Sequence, residues 1–370
     1  MLTPVETDVG AEAHRLIAHL AIEVPGELGR LVRAIVGVET CNASPPTSLT
    51  EAQQGEHVPG TISPPAGPGR WSTTLLALCC TAYGQPTEQA IPIGACLELL
   101  GIASSALDAA QDGHLDLLSI YGPQLPRSNG DVHSSRGVHN GSTSAALVSN
   151  ASVALTGLAW QALFEHGPRY GIDPLTIMEI GSLLARRLVD VCQGQHLDLT
   201  IGRAQHLTLE EYDQILANKT GEINGTICEA GAILAGASDQ RPLWRTLGVE
   251  RAIVQQLYDD YTDLAEDILN GNQVSHFILY GLAVAGEAQR KTIIALLEHA
   301  RSGAEDAPLS VQELIGLLRE LGAEYYTLTR MVLHRNRALA ALDALQLPEH
   351  TRGWLYEWVV RVSPLQTPLP

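Results

Sequence analysis

The chain has 370 residues, 45% hydrophobic and 17% charged, with a formal net charge of −18. That apolar content suffices for a large core, and the acidity excludes sequence-independent binding along a nucleic-acid backbone. No run of 18 apolar residues and no basic-then-apolar start is present, so a cytoplasmic protein without stable membrane insertion is expected. Six cysteines (Cys41, Cys79, Cys80, Cys96, Cys192 and Cys228) lack CxxC spacing and mostly sit in apolar helical patterns, as buried reduced thiols do.

Residues 1–43 read as an N-terminal helical segment, with amphipathic periodicity over 11–40. Residues 44–69, from Ser44-Pro45-Pro46 to Pro68-Gly69, are dense in Pro, Gly, Ser and Thr and read as a linker. From 70 to 370 apolar residues recur at three- and four-residue spacing with almost no strand-like alternation, which predicts one large all-α bundle. Its first helix with paired carboxylates is ELLGIASSALDAAQD (98–112), where Asp108 and Asp112 share a face at i, i+4. The stretch at about 113–143 then carries turn chemistry and reads as a loop insertion, either a lid or a surface excursion.

Further along, Asp173-Pro174 supplies an N-cap and a first-turn proline for a helix reaching Cys192. Thr208 and Glu211 form a capping box that opens a helix of about 25 residues. The sequence Gln256-Leu257-Tyr258-Asp259-Asp260-Tyr261-Thr262-Asp263 puts three carboxylates on one turn of an apolar helix, with Asp259 and Asp263 on one face. Ser310 and Glu313 repeat the capping device ahead of ELIGLLRELGAEYYTLTRMVLHRNRALAAL. Two acidic clusters on helices supply the hard oxygen ligands of a magnesium–diphosphate site.

Four features in order resemble the all-helical trans-isoprenyl diphosphate synthases (polyprenyl synthetases) and the terpene cyclases on the same fold. They are 98–112, similar to the helix ending in a first DDxxD; Gly194-Gln195-His196-Leu197-Asp198-Leu199, similar to GQxxDL; YDQILANKT, similar to YxxxIxxKT; and QLYDDYTD with the following DILNGN. The resemblance spans roughly 67–280. It implies that Asp108, Asp112, Asp259 and Asp263 hold three Mg²⁺ ions with a bound prenyl diphosphate, with Asp260 as an auxiliary carboxylate. It also implies that Lys219 neutralises phosphate oxygens, that Thr220, Gln195 and Gln256 line the same cavity, and that two chains form a homodimer. Metal and lysine together would stabilise departing diphosphate as the allylic C–O bond ionises in a water-poor pocket.

The departures cluster at the acceptor side. The GGKRxRP motif corresponds to Gly67-Pro68-Gly69-Arg70-Trp71-Ser72-Thr73, with Gly69 and Ser72 in place of two cations. Gly101 stands where a histidine is usual, Ala109 replaces the second Asp of the first motif, Ser135-Arg136-Gly137 replaces RRG, and Asn272 replaces the lysine of DIxxGK. Losing several cations, each worth about 1.5–3 kcal/mol in a charge-assisted bond, weakens an isopentenyl diphosphate site. Arg136 and Arg70 remain as possible diphosphate contacts. Small residues one turn below the first acidic motif, Ala103 and Ser104, leave room for a C15 to C25 chain, with C20 favoured. Tyr258, Tyr261 and Trp160 are candidate cation-stabilising faces, with core packing as the competing role.

The leading expectation is therefore a Mg²⁺-dependent terpene synthase on the isoprenyl-synthase fold, which releases diphosphate and forms a terpene. A prenyltransferase, either chain-elongating or using another acceptor, is the alternative within the enzyme class. A catalytically silent partner subunit of a prenyl synthase is the third reading, favoured by Ala109 and the stripped basic patch.

Overall fold

The computed structural model describes residues 4–37, 70–112, 139–201, 207–270, 274–302 and 307–361. Among the described residues there is helix and no strand, as the periodicity predicts. The chain divides into two compact units, Met1–Met178 and Glu179–Pro370.

The first unit contains α1 (Pro4–Glu23), α2 (Gly26–Ile35), α3 (Arg70–Ala82), α4 (Ala90–Asp112) and α5 (His139–Gln161). Helix α5 lies along α4, and α1 packs on both α3 and α4. Val148, Ala151, Leu155, Leu158, Ala159 and Ala162 are buried at three- and four-residue steps. That packing explains why helix begins at His139, inside the stretch read as loop, despite its serines and glycine. Residues 113–138, with the lid reading and Arg136, lie outside the described residues. Helices α3 and α4 touch at Gly94, where an added Cβ would sit 2.1 Å from Thr73 Oγ1. Thr73 in turn donates a 2.8 Å hydrogen bond to the buried Glu98. Two stretches, Thr87–Gln111 and Ala145–Tyr170, are long and apolar enough to cross a membrane, and 67% of the first one's apolar window is buried within the protein, as in a core helix.

Helix α6 (Pro174–Ile201) carries the boundary between the units. Its start is capped as predicted, Asp173 Oδ2 accepting from the backbone N–H groups of Leu175 (2.9 Å) and Thr176 (3.2 Å). In the second unit, α7 (Leu209–Leu216) opens on the Thr208/Glu211 capping box, widens into a π turn over Ala217–Gly221 and continues as α8 (Glu222–Leu234). The predicted helix of about 25 residues is thus present, with an unpredicted expansion in its middle. Then follow α9 (Arg241–Thr262), α10 (Leu264–Leu269), α11 (His276–Val284), α12 (Glu287–Ala300), α13 (Ala307–Glu320), α14 (Ala323–Ala344) and α15 (Glu349–Val360).

Helix α9 is central to this unit, packed on α8 and α14. It reaches α8 because of its glycine: a Cβ on Gly248 would fall 2.4 Å from the Asn224 carbonyl oxygen, and one on Gly225 2.5 Å from Val249 Cγ2. Asn224 therefore sits at a helix crossing. Tyr212, Leu216, Ile253, Leu257, Phe277, Leu314 and Met331 form a shared core, each large side chain contributing on the order of 1.5–3 kcal/mol. Arg187, Arg241 and Arg245 tie α6 and α9 to the buried Glu222 and Glu229 of α8.

Two boundaries differ from the sequence reading. Ser310 lies inside α13, which starts at Ala307, so the proline at 308 occupies the first turn and Ser310 caps nothing. The long pattern from Glu313 to Leu342 is two helices, broken at Gly322, whose φ of +88° only glycine adopts readily. Cys79, Cys80, Cys96 and Cys228 are buried free thiols, with burial pushing Cys80 and Cys228 up to about 12. Cys192 is free but exposed, against the buried reading, and Cys41 lies outside the described residues.

Candidate active site

Most of the expected site residues assemble in the second unit, around the π turn of Ala217–Gly221. Such a turn carries one extra residue, which re-aims the side chains it holds, here Lys219 and Thr220. Gly194, the first residue of GQHLDL, brings α6 against this turn: an added Cβ would lie 2.9 Å from the Lys219 backbone nitrogen. Gln195, next in sequence, is thereby held on a helix in contact with the Lys219 segment. The side chain of Asp198 lies outside the described residues.

The second acidic motif faces the same helix through a chain of hydrogen bonds. Thr220 Oγ1 donates to Gln256 Oε1 (3.3 Å), and Gln256 Nε2 donates to Asp260 Oδ1 (2.8 Å). The Tyr212 hydroxyl donates to the other oxygen, Asp260 Oδ2, at 2.8 Å. Both oxygens of Asp260 are thus used inside the protein, and the residue is 8% exposed. Burial, opposed by these two donors, raises its pKa to about 6, with the charges of Asp267 and Asp259 adding to the rise.

Asp259 is half-buried and Asp263 exposed on the adjoining face. Gln255 Nε2 donates to Asp259 Oδ1 (2.8 Å), leaving oxygen lone pairs open. Burial raises the Asp259 pKa, and the neighbouring charge of Asp263 raises it further. Two carboxylates that repel one another across one helical turn are an arrangement a divalent cation relieves.

Among the described residues no three His, Cys, Asp or Glu side chains form a ready-made metal cage. The donor set fits hard, mostly hydrated Mg²⁺, which is held by one or two carboxylates plus substrate phosphates, at Asp259 and Asp263. In the first unit, Asp108 is half-buried near the end of α4, with Ala103 buried and Ser104 half-buried one turn earlier. Asp112 is the last residue of that helix, and its side chain lies outside the described residues.

The aromatic candidates have structural partners. Tyr261 donates a 2.6 Å hydrogen bond to Glu324, Trp160 stacks on Phe164 with centroids 6.0 Å apart, and Tyr258 packs against the core cluster. Ser72 is buried, as are the neutral Thr73 and Thr74 that follow it, and the side chain of Arg70, the first residue of α3, lies outside the described residues. Gly69, Arg136 and Asn272 lie outside the described residues.

Tyr212, Gln255 and Arg251 had no assigned role in the sequence reading. Tyr212 is the first residue of the YxxxIxxKT stretch, so its position, if not its partner, was visible there. A second network lies behind it: the fully buried His276 meets Asp213 (2.8 Å), which also accepts from Arg330 (2.8 Å). His276 packs edge-on against Tyr212, with centroids 5.0 Å apart.

The polyprenyl synthetase family model matches residues 138–314. The short chain isoprenyl diphosphate synthase of Methanothermobacter thermautotrophicus is 25% identical over 293 residues, covering 76% of this chain and 82% of that protein. The geranylgeranyl diphosphate synthase of Methanosarcina mazei is 24% identical over 194 residues, 51% of this chain and 59% of that one. Among solved structures, the geranylgeranyl pyrophosphate synthetase of Pyrococcus horikoshii has the same fold, with a TM-score of 0.69 at 19% identity over 96% of this chain and 98% of that chain. A polyprenyl synthetase of Streptomyces coelicolor gives 0.68 at 17% identity over 96% and 98%. Matching fold, motifs in order and these relatives together support the trans-isoprenyl diphosphate synthase (polyprenyl synthetase) family for this chain.

Proposed function

We propose that the protein is a Mg²⁺-dependent prenyltransferase that ionises an allylic prenyl diphosphate and joins the prenyl group to an acceptor. The observation that carries this reading is the linked arrangement of Lys219, Thr220, Gln256 and the Asp259–Asp263 motif in one unit, in a chain whose relatives are named as prenyl diphosphate synthases. Bound magnesium supplies Lewis-acid stabilisation of the leaving diphosphate. Asp259 and Asp263 would hold it, Lys219 adds a compact positive charge, and Asp108 and Asp112 are the candidate ligands that the first unit carries. Asp260, tied at both oxygens, keeps the acidic turn and the lysine helix in register. Ala103 and Ser104 admit a chain of C15 to C25, centred on C20.

The terpene-forming reading keeps one supporting observation, the neutral Ser72-Thr73-Thr74 at the head of α3. Incubation with C15 and C20 allylic diphosphates, Mg²⁺ and labelled isopentenyl diphosphate separates the two. Label in a longer prenyl diphosphate supports elongation. Cyclic hydrocarbon or alcohol without label supports terpene formation.

We also infer a homodimer and a cytoplasmic setting. Helix α6 exposes Leu175, Met178 and Val189, with Ser182, Ala185 and Cys192 between and beyond them at heptad spacing, an apolar stripe suited to a second copy. The five described cysteines are free thiols, which suits a reducing compartment. Sedimentation of the purified protein at twice the chain mass would bear out the dimer, and sedimentation at the chain mass would refute it.

A further inference from the structure

Tyr212 and Asp213 are neighbours on α7, and they grip different helices. Tyr212 donates to Asp260 on α9 at 2.8 Å. Asp213, about 100° further round the helix, meets the fully buried His276 of α11 at 2.8 Å and accepts from Arg330 of α14 at 2.8 Å. Arg330 reaches on to His334 Nε2 at 3.2 Å, and His334 Nδ1 lies 2.6 Å from Glu250 on α9. An arginine only donates, so His334 Nε2 accepts and the ring proton sits on Nδ1, facing Glu250. Burial pulls the His276 pKa down further than Asp213 raises it, so this ring is neutral and donates through its Nε2–H. Burial works against ionisation of Asp213 as well, yet the His276 hydrogen bond and the Arg330 charge prevail and hold its carboxyl below the ordinary aspartate range.

An apolar side chain would suit the His276 site better on stability alone, since the ring is 0% exposed and its Nδ1 has no hydrogen-bond partner among the described residues. What the polar pair adds is direction. Apolar contacts let a helix roll about its axis, whereas hydrogen bonds from two adjacent residues, about 100° apart, fix its rotation. Helix α7 runs directly into the π turn that presents Lys219 and Thr220. Lys219 lies six residues beyond Asp213, about 9 Å along the axis, so a rotation set at Asp213 is carried to it through the helix backbone. The bond from Thr220 to Gln256 is long, 3.3 Å, and orients the turn less firmly than the 2.8 Å bonds at Tyr212 and Asp213.

We propose that Asp213 is a positioning residue for the diphosphate site: braced by His276 and Arg330, it sets the rotation of α7 and with it the aim of Lys219. This assignment rests on the reading of Lys219 as a diphosphate contact. The test is a double-mutant cycle between Asp213→Ala and Lys219→Ala, read as affinity for magnesium diphosphate by titration calorimetry. Residues this far apart ordinarily act additively. With Lys219 present, Asp213→Ala is expected to weaken binding about tenfold, a coupling typical of residues in one network, and in the Lys219→Ala background to change it less than about twofold. Asp213→Asn is expected to recover part of the loss, because its amide oxygen still accepts from Arg330 and its NH₂ can donate to His276 once the ring proton moves to Nδ1. The asparagine variant carries the same cycle if Asp213→Ala does not fold. Equal losses in both backgrounds, or no loss in either, would overturn the assignment and leave Asp213 a stabilising residue alone. Failure of the wild-type protein to bind magnesium diphosphate would overturn it together with the role of Lys219. Coupled binding without prenyl transfer would count against the prenyltransferase reading and leave the positioning role standing.

Discussion

The Tyr212 hydroxyl donates a 2.8 Å hydrogen bond to Asp260 Oδ2, joining the helix that leads to Lys219 with the helix that carries the second acidic motif. Replacing Tyr212 with Phe removes one donor from the buried Asp260 carboxyl, leaves its bond to Gln256, and should cost about 1–3 kcal/mol of stability. Because the same bond holds the acidic turn in register with the lysine, kcat should also fall. Chemical denaturation and steady-state kinetics of Tyr212→Phe check both effects.

Asp260 also sets a pH dependence. Its folded pKa of about 6 lies above the ordinary aspartate value of 3.8, so the folded state binds the proton more tightly than the unfolded chain. The resulting contribution to stability is full below the unfolded value and is lost as pH rises to about 6, a change on the order of 3 kcal/mol. In chelator, unfolding free energy measured from pH 4 to pH 7 should fall with pH from this source. Asp260→Asn should flatten that slope.

In the acidic motif, Asp259→Asn removes a carboxylate that burial and its neighbour make costly to ionise, and Asp263→Asn removes that neighbour. Activity should drop by roughly 10²–10³-fold, with a higher Mg²⁺ requirement. Stability in chelator should stay level or improve, since the repulsion is relieved. Magnesium titrations of activity, paired with melting curves, separate these effects from misfolding.

Gly194 is predicted to be intolerant of even one methyl group. A Cβ there would press on the Lys219 backbone nitrogen at 2.9 Å, and the backbone of a helix cannot yield as a flexible side chain can. Gly194→Ala should cost about 1–3 kcal/mol by overpacking and raise KM for prenyl diphosphate. A thermal shift without a KM change would show that the contact is structural alone.

Local signals in the sequence located what local physics decides. Asp173-Pro174 and Thr208 with Glu211 cap helices because their hydrogen bonds close within three residues. The same device at Ser310 failed because Ala307-Pro308 starts the helix earlier, and the break at Gly322 was hidden within continuous apolar periodicity. The order of the acidic and lysine motifs was legible in residue spacing. Asp260's ties to Tyr212 and Gln256, the Asp213–His276 pair and the Gly194 contact were not, since they depend on which helices cross and at what level. The helix beginning at His139 was missed for a related reason: packing on α4 outweighs the weak helix propensity of its first turn.

The most direct test of the account is diphosphate release from geranylgeranyl diphosphate by the purified protein, with Mg²⁺ and with chelator, for the wild type and for Asp259→Asn with Asp263→Asn. The account predicts release that requires Mg²⁺ and that the double substitution abolishes. Wild-type protein that releases no diphosphate from this or from C10, C15 and C25 allylic diphosphates, under conditions where a family synthase is active, would contradict it.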